Sequence, residues 1–72
     1  MIEVNVMNEY GQWCQWWENF INYYESQGVD MDDSREITRT LAIWNAIDRD
    51  EESTLFYFAN EQDHVMFMLR WS

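Results

Sequence analysis

The stretch Glu36-Ile37-Thr38-Arg39-Thr40-Leu41-Ala42-Ile43-Trp44-Asn45-Ala46-Ile47 decides the fold. Two readings compete for it. As a helix, Asp33 and Glu36 form a capping box, and Ile37, Leu41 and Trp44 line one face. As a strand, Ile37–Trp44 is rich in β-branched and aromatic side chains. The next segment, Thr54-Leu55-Phe56-Tyr57-Phe58-Ala59, reads as a strand, and a strand needs a neighbour. Between the two, Asp48-Arg49-Asp50-Glu51-Glu52-Ser53 has the polarity and length of a hairpin turn. The strand reading of 36–47 is therefore preferred, with a helix over the same residues as the alternative.

Working toward the N-terminus, Gly28-Val29-Asp30-Met31-Asp32-Asp33-Ser34-Arg35 reads as an acidic loop. Before it lies the clearest helical pattern. At 100° per residue, Tyr10, Trp13, Cys14, Trp17, Ile21 and Tyr24 share a face. Phe20 widens that face, and Trp16 and Tyr23 sit at its edge. With Asn8 as N-cap and Gly28 past the C-terminus, the spacing predicts a helix over 9–27. Ile2, Val4 and Val6 alternate with Glu3 and Asn5, the period of a short strand.

Toward the C-terminus, Asn60 offers an N-cap with Asp63 three residues on, opening a final helix. His64, Phe67, Met68 and Trp71 share its inner face, flanked by Val65 and Leu69. Arg70 lies in the last turn, where a cation suits the helix dipole. The order is β-α-β-β-α: a single two-layer α+β domain over 1–72, a three-stranded sheet with two helices on one face. Were the first two strands parallel neighbours, their crossover would be right-handed.

Composition narrows the function classes. The chain has 72 residues, fourteen Asp or Glu against four Arg, and a net charge of −10. A polyanion repels nucleic acid and anionic membranes, so neither is an expected direct partner. No run is long and apolar enough to span a bilayer. Met1-Ile2-Glu3-Val4 lacks the basic start of a secretory signal, and a lone cysteine suits a reducing compartment, so a cytoplasmic location is expected. Stability must come from aromatic packing or self-association, since one cysteine forms no internal disulfide and thirteen residues are Phe, Trp or Tyr.

The ending Phe56-Tyr57-Phe58-Ala59-Asn60-Glu61-Gln62-Asp63-His64-Val65-Met66-Phe67-Met68-Leu69-Arg70-Trp71-Ser72 resembles that of small uncharacterised proteins of tailed phages, including cyanophages. In those, a strand is followed by Asn-Glu-x-Asp and then Phe-x-Leu-Arg-Trp. Here Phe58, Asn60, Glu61, Asp63, Phe67, Leu69, Arg70 and Trp71 match, and His64 stands where relatives often carry a small residue. The resemblance implies a viral accessory protein acting in the host cytoplasm. It implies no catalytic residues.

Catalytic and metal chemistry find little to build on. Asp30-Met31-Asp32-Asp33-Ser34 opens like a calcium loop, but Arg35 stands where glycine is required and Leu41 where a bidentate Glu is required. His64 is the only histidine, so no two-histidine metal site can form. Cys14, on an apolar face, reads as a small hydrophobe. No glycine-rich phosphate loop is present. The expectation is a protein that is not an enzyme and takes no cofactor.

Binding chemistry is better represented. Leu55 and Tyr57 point one way from their strand, Phe56 and Phe58 the other, so a sheet covered on one side leaves one pair wet. An interaction surface is expected at Trp16, Tyr23, Phe56 and Phe58, contacting a host protein that is basic or carries an apolar groove. Two further readings stand beside it. Asp30, Asp32, Asp33, Glu36, Asp48, Asp50, Glu51 and Glu52 form an acidic patch able to mimic a phosphate backbone and inhibit a nucleic-acid-binding enzyme. Alternatively, the apolar sheet face closes a homodimer with no separate activity.

Overall fold

The computed structural model describes residues 1–48 and 54–72. Along the chain run β1 (Ile2–Asn5), α1 (Gln15–Ser26), α2 (Ser34–Ile43), β2 (Ala46–Asp48), β3 (Leu55–Phe58) and α3 (Glu61–Trp71). This is an α+β architecture with a three-stranded antiparallel sheet, ordered β1-β3-β2.

The contested stretch is helical through Ile43, so there are three helices, and the strand preferred for 36–47 shrinks to Ala46–Asp48. β3 has a neighbour on each side, β1 pairing with four of its residues and β2 with three. Val4 stands opposite Phe56 and Ile2 opposite Phe58. Once β3 is central, three residues of β2 complete its other edge, and 34–43 follows its helical signals. The Asp33 carboxylate accepts from the Arg35 N–H at 3.0 Å, a true N-cap. The Thr40 hydroxyl donates back to the Glu36 and Ile37 carbonyls, so this β-branched residue is buried without an orphaned polar group. Asn45, at φ 63°, takes the left-handed conformation that stops α2. The first two strands in sequence are separated by β3, so no parallel crossover forms.

The first helix also starts later than its periodicity predicts. Residues 7–14 fold back instead. Met7 and Trp13 form an isolated antiparallel bridge, and the Cys14 N–H donates to the Val6 carbonyl at 2.8 Å. Asn8 is not a helix cap. Its side-chain oxygen accepts from the N–H groups of Tyr10 at 2.9 Å and Gln12 at 3.0 Å, closing a turn through Gly11 at φ 74°. The residue preceding α1 is Cys14, with no side-chain cap bond. The predicted C-terminus does hold. Gly28, at φ 87°, donates to the Glu25 carbonyl, and Val29 to that of Tyr24, which is a Schellman ending.

The helices cover the sheet face bearing Val4, Ala46, Phe56 and Phe58, all buried. Phe67 of α3 is the hub. Its ring centre lies 5.4 to 6.4 Å from those of Trp16, Phe20, Trp44, Phe56, Phe58 and Trp71. Each fully buried ring contributes about 1.5–3 kcal/mol relative to leaving it exposed. Met31, read as part of a polar loop, is buried too. The Trp71 indole N–H is buried with no hydrogen-bond partner among the described residues. The other sheet face carries Glu3, Asn5, Ile47, Leu55 and Tyr57.

Candidate interaction surface

The side of β3 that meets α1 and α3 decides which apolar groups face water. Phe56 and Phe58, expected at an interaction surface, are 2% and 0% exposed and belong to the core. Trp16 is half-buried, its ring edge-on to Trp17, Phe56 and Phe67. Of the four expected residues only Tyr23 is exposed. Its ring is already engaged, edge-on to Tyr24 and Trp71 and 5.1 Å from the Arg70 guanidinium. The rings that stay outside with it are Tyr10 and Trp13, at 80% and 52% exposure. Both belong to the Asn8 turn, so the shortened helix is the reason they leave the core.

Trp13 borders a recess of about 430 Å³. Trp13, Trp17, Glu18, Ile21, Asn22 and Asp32 line it. The α1 helix contributes Trp17, Glu18, Ile21 and Asn22, and their spacing of one, three and four residues sets them along one side. Asp32 comes from the turn before α2, where its N–H donates to the Asp30 side chain at 3.1 Å. Neither the Glu18 nor the Asp32 carboxylate has a hydrogen-bond or ion-pair partner among the described residues. An indole and two unpaired carboxylates lining one recess attract a cation and repel an anion.

A second recess adjoins the first, sharing Asn22 and lined also by Asn19, Tyr23, Arg70, Trp71 and Ser72. Here the chain's own Arg70 lies over aromatic faces, 4.1 Å from the Trp71 ring centre. Asn19 fastens this corner by donating its side-chain N–H to the Trp71 carbonyl at 2.9 Å.

The outward side of α3 carries three apolar side chains beside the exposed Gln62. Phe67 and Trp71 point inward, with His64 half-buried against Phe58. Val65, Met66 and Leu69, at 45%, 56% and 75% exposure, lie on the opposite side. Val65 and Leu69, expected to flank the core, therefore form a stripe facing water. Glu61 adjoins its N-terminal end, exposed one turn before Val65.

The acidic patch divides. Asp33 caps α2 and lies 3.6 Å from Arg35, and Glu36 pairs with Arg39. Those two carboxylates serve the helix. Asp30 binds backbone in its own turn, leaving Asp32 directed to the recess. Asp50, Glu51 and Glu52 lie outside the described residues, and Asp48 is the last residue of β2. Among the described residues, no three His, Cys, Asp or Glu side chains converge as a metal site. Nor is any helix among them long and apolar enough to cross a membrane. Cys14 is a half-buried thiol packed on the core, with its Sγ 3.8 Å from the Asn5 carbonyl oxygen. Neither a family model, nor a curated protein, nor a solved structure matches the chain.

Proposed function

We propose that this chain is a non-catalytic interaction module that docks a basic amphipathic segment of another protein on the outward face of α3. The observation that carries this reading is the Val65–Met66–Leu69 stripe, apolar and exposed on a helix whose inner face is already satisfied. Burying such side chains in a complex returns the free energy that their exposure withholds. The partner's charge follows from the chain's own. At a net −10, a second copy is repelled, while a basic segment is drawn in and oriented. The likeness of the C-terminal segment to tailed-phage proteins makes a host protein the first partner to screen.

The test uses two amphipathic helical peptides, one Leu/Lys and one Leu/Glu, titrated against the whole chain by fluorescence anisotropy. The Leu/Lys peptide is expected to bind and the Leu/Glu peptide not to. The double variant Val65→Ser, Leu69→Ser is expected to weaken binding at least tenfold, about 1.4 kcal/mol, with thermal unfolding unchanged. Equal binding of both peptides, or full binding by the double variant, overturns the reading.

A further inference from the structure

We propose that the recess between α1 and the turn before α2 binds an arginine side chain of the partner protein. This deepens the reading above and rests on it for the partner's basic character. The recess is built rather than incidental. Trp13 reaches it because the Asn8 side chain closes the preceding turn with two backbone hydrogen bonds, at 2.9 and 3.0 Å. Asp32 is placed by the Asp30 turn that leads into α2. Trp17 and Ile21 give the recess an apolar wall, and Asn22 adds a carboxamide. Its volume of about 430 Å³ falls in the range of sites that enclose a small ligand or a long side chain.

The lining specifies the occupant. A planar guanidinium stacks on indole and at the same time donates N–H bonds to carboxylates on its edge. Glu18 and Asp32 supply two such acceptors, and neither is neutralised by a described side chain. A lysine ammonium meets the charge but not the stacking, a neutral planar group meets the stacking but not the charge, and an anion is repelled. The adjoining recess displays this chemistry within the molecule, where the Arg70 guanidinium lies 4.1 Å from the Trp71 ring centre and 5.1 Å from that of Tyr23. The other described arginines are engaged elsewhere, Arg35 with Asp33 and Arg39 with Glu36. Among the described residues, no arginine side chain lines the Trp13 recess.

The experiment is an NMR titration of the assigned indole N–H signals of the full chain. The probes are Nα-acetyl-arginine amide and its neutral isostere Nα-acetyl-citrulline amide. Arginine amide is expected to shift the Trp13 and Trp17 signals in a saturable way, with citrulline amide leaving them in place. The variant Glu18→Gln, Asp32→Asn is expected to lose most of the response, and Val65→Ser, Leu69→Ser to keep all of it. Equal shifts with citrulline amide overturn the inference, as does an unchanged response in the carboxamide variant. Binding of the Leu/Lys peptide without any arginine response also overturns it, while leaving the α3 docking face intact. An arginine response without Leu/Lys binding upholds the recess and removes the α3 face instead.

Discussion

The indole N–H of Trp44 donates to the phenolic oxygen of Tyr24 at 3.0 Å, fastening the end of α2 to the last turn of α1. The two residues lie twenty positions apart, and each ring also packs on Trp71, so a polar bond crosses an aromatic cluster. Replacing Tyr24 with Phe keeps the ring and removes the acceptor. The partly buried Trp44 donor then has no partner in that cluster. A loss of about 1 kcal/mol is expected, read as a lower urea midpoint with an unchanged slope. An unchanged midpoint would show the bond to be worth nothing.

Phe67 tests the aromatic core. Six rings surround it and none of its surface is exposed. Phe67→Ala is expected to cost about 3–5 kcal/mol, from lost burial and the cavity left behind. In a chain of 72 residues that is much of the total stability. The near-ultraviolet circular dichroism of the packed rings should collapse at room temperature, and Phe67→Leu should retain more of it. A fully folded alanine variant would mean the rings can close over the gap.

Asn45 tests the boundary between α2 and β2. It holds φ at 63°, and its side-chain amide donates to the Asp63 carboxylate at 3.3 Å. Asn45→Gly keeps the backbone geometry, whereas Asn45→Ala meets the left-handed penalty. The alanine variant is expected to be less stable than the glycine variant by about 1 kcal/mol in thermal unfolding. Equal stability would show that the backbone relaxes out of that conformation.

Asn8 tests the turn that presents Trp13. With Asn8→Ala, the amides of Tyr10 and Gln12 lose their side-chain acceptor. Their hydrogen exchange should quicken while the amides of α3 keep their protection. The Trp13 indole should respond less to arginine amide than in the parent chain. Unchanged exchange at both amides would show that the turn holds through its backbone bonds alone.

Several local features were readable from single residues. Asn60 caps α3 as its spacing predicts, accepting from the Asp63 N–H at 2.9 Å. Gly28 ends α1, and Ile2, Val4 and Val6 mark the first strand and its inward side. Asn45, an Asn just past a helical pattern, is a further helix-stop signal, and it argues against a strand running through 36–47. The late start of α1 was harder. Tyr10 and Trp13 keep perfect helical spacing with Trp17, but Asn8 binds the backbone two and four residues ahead and draws that segment into a turn. Periodicity alone cannot register that competition.

By itself the sequence determined the acidic balance, the capped final helix, the ends marked by Gly28 and Asn60, and a chain rich in rings with one thiol. These are local or compositional properties, and short-range sterics and hydrogen bonding suffice to set them. Tertiary structure alone decided that β3 lies between β1 and β2, that 34–43 is free to be a helix, and that Phe56 and Phe58 are sealed while Trp13, Val65 and Leu69 face water. Each depends on which distant segments meet, since burial is a property of a side chain and its non-local neighbours together.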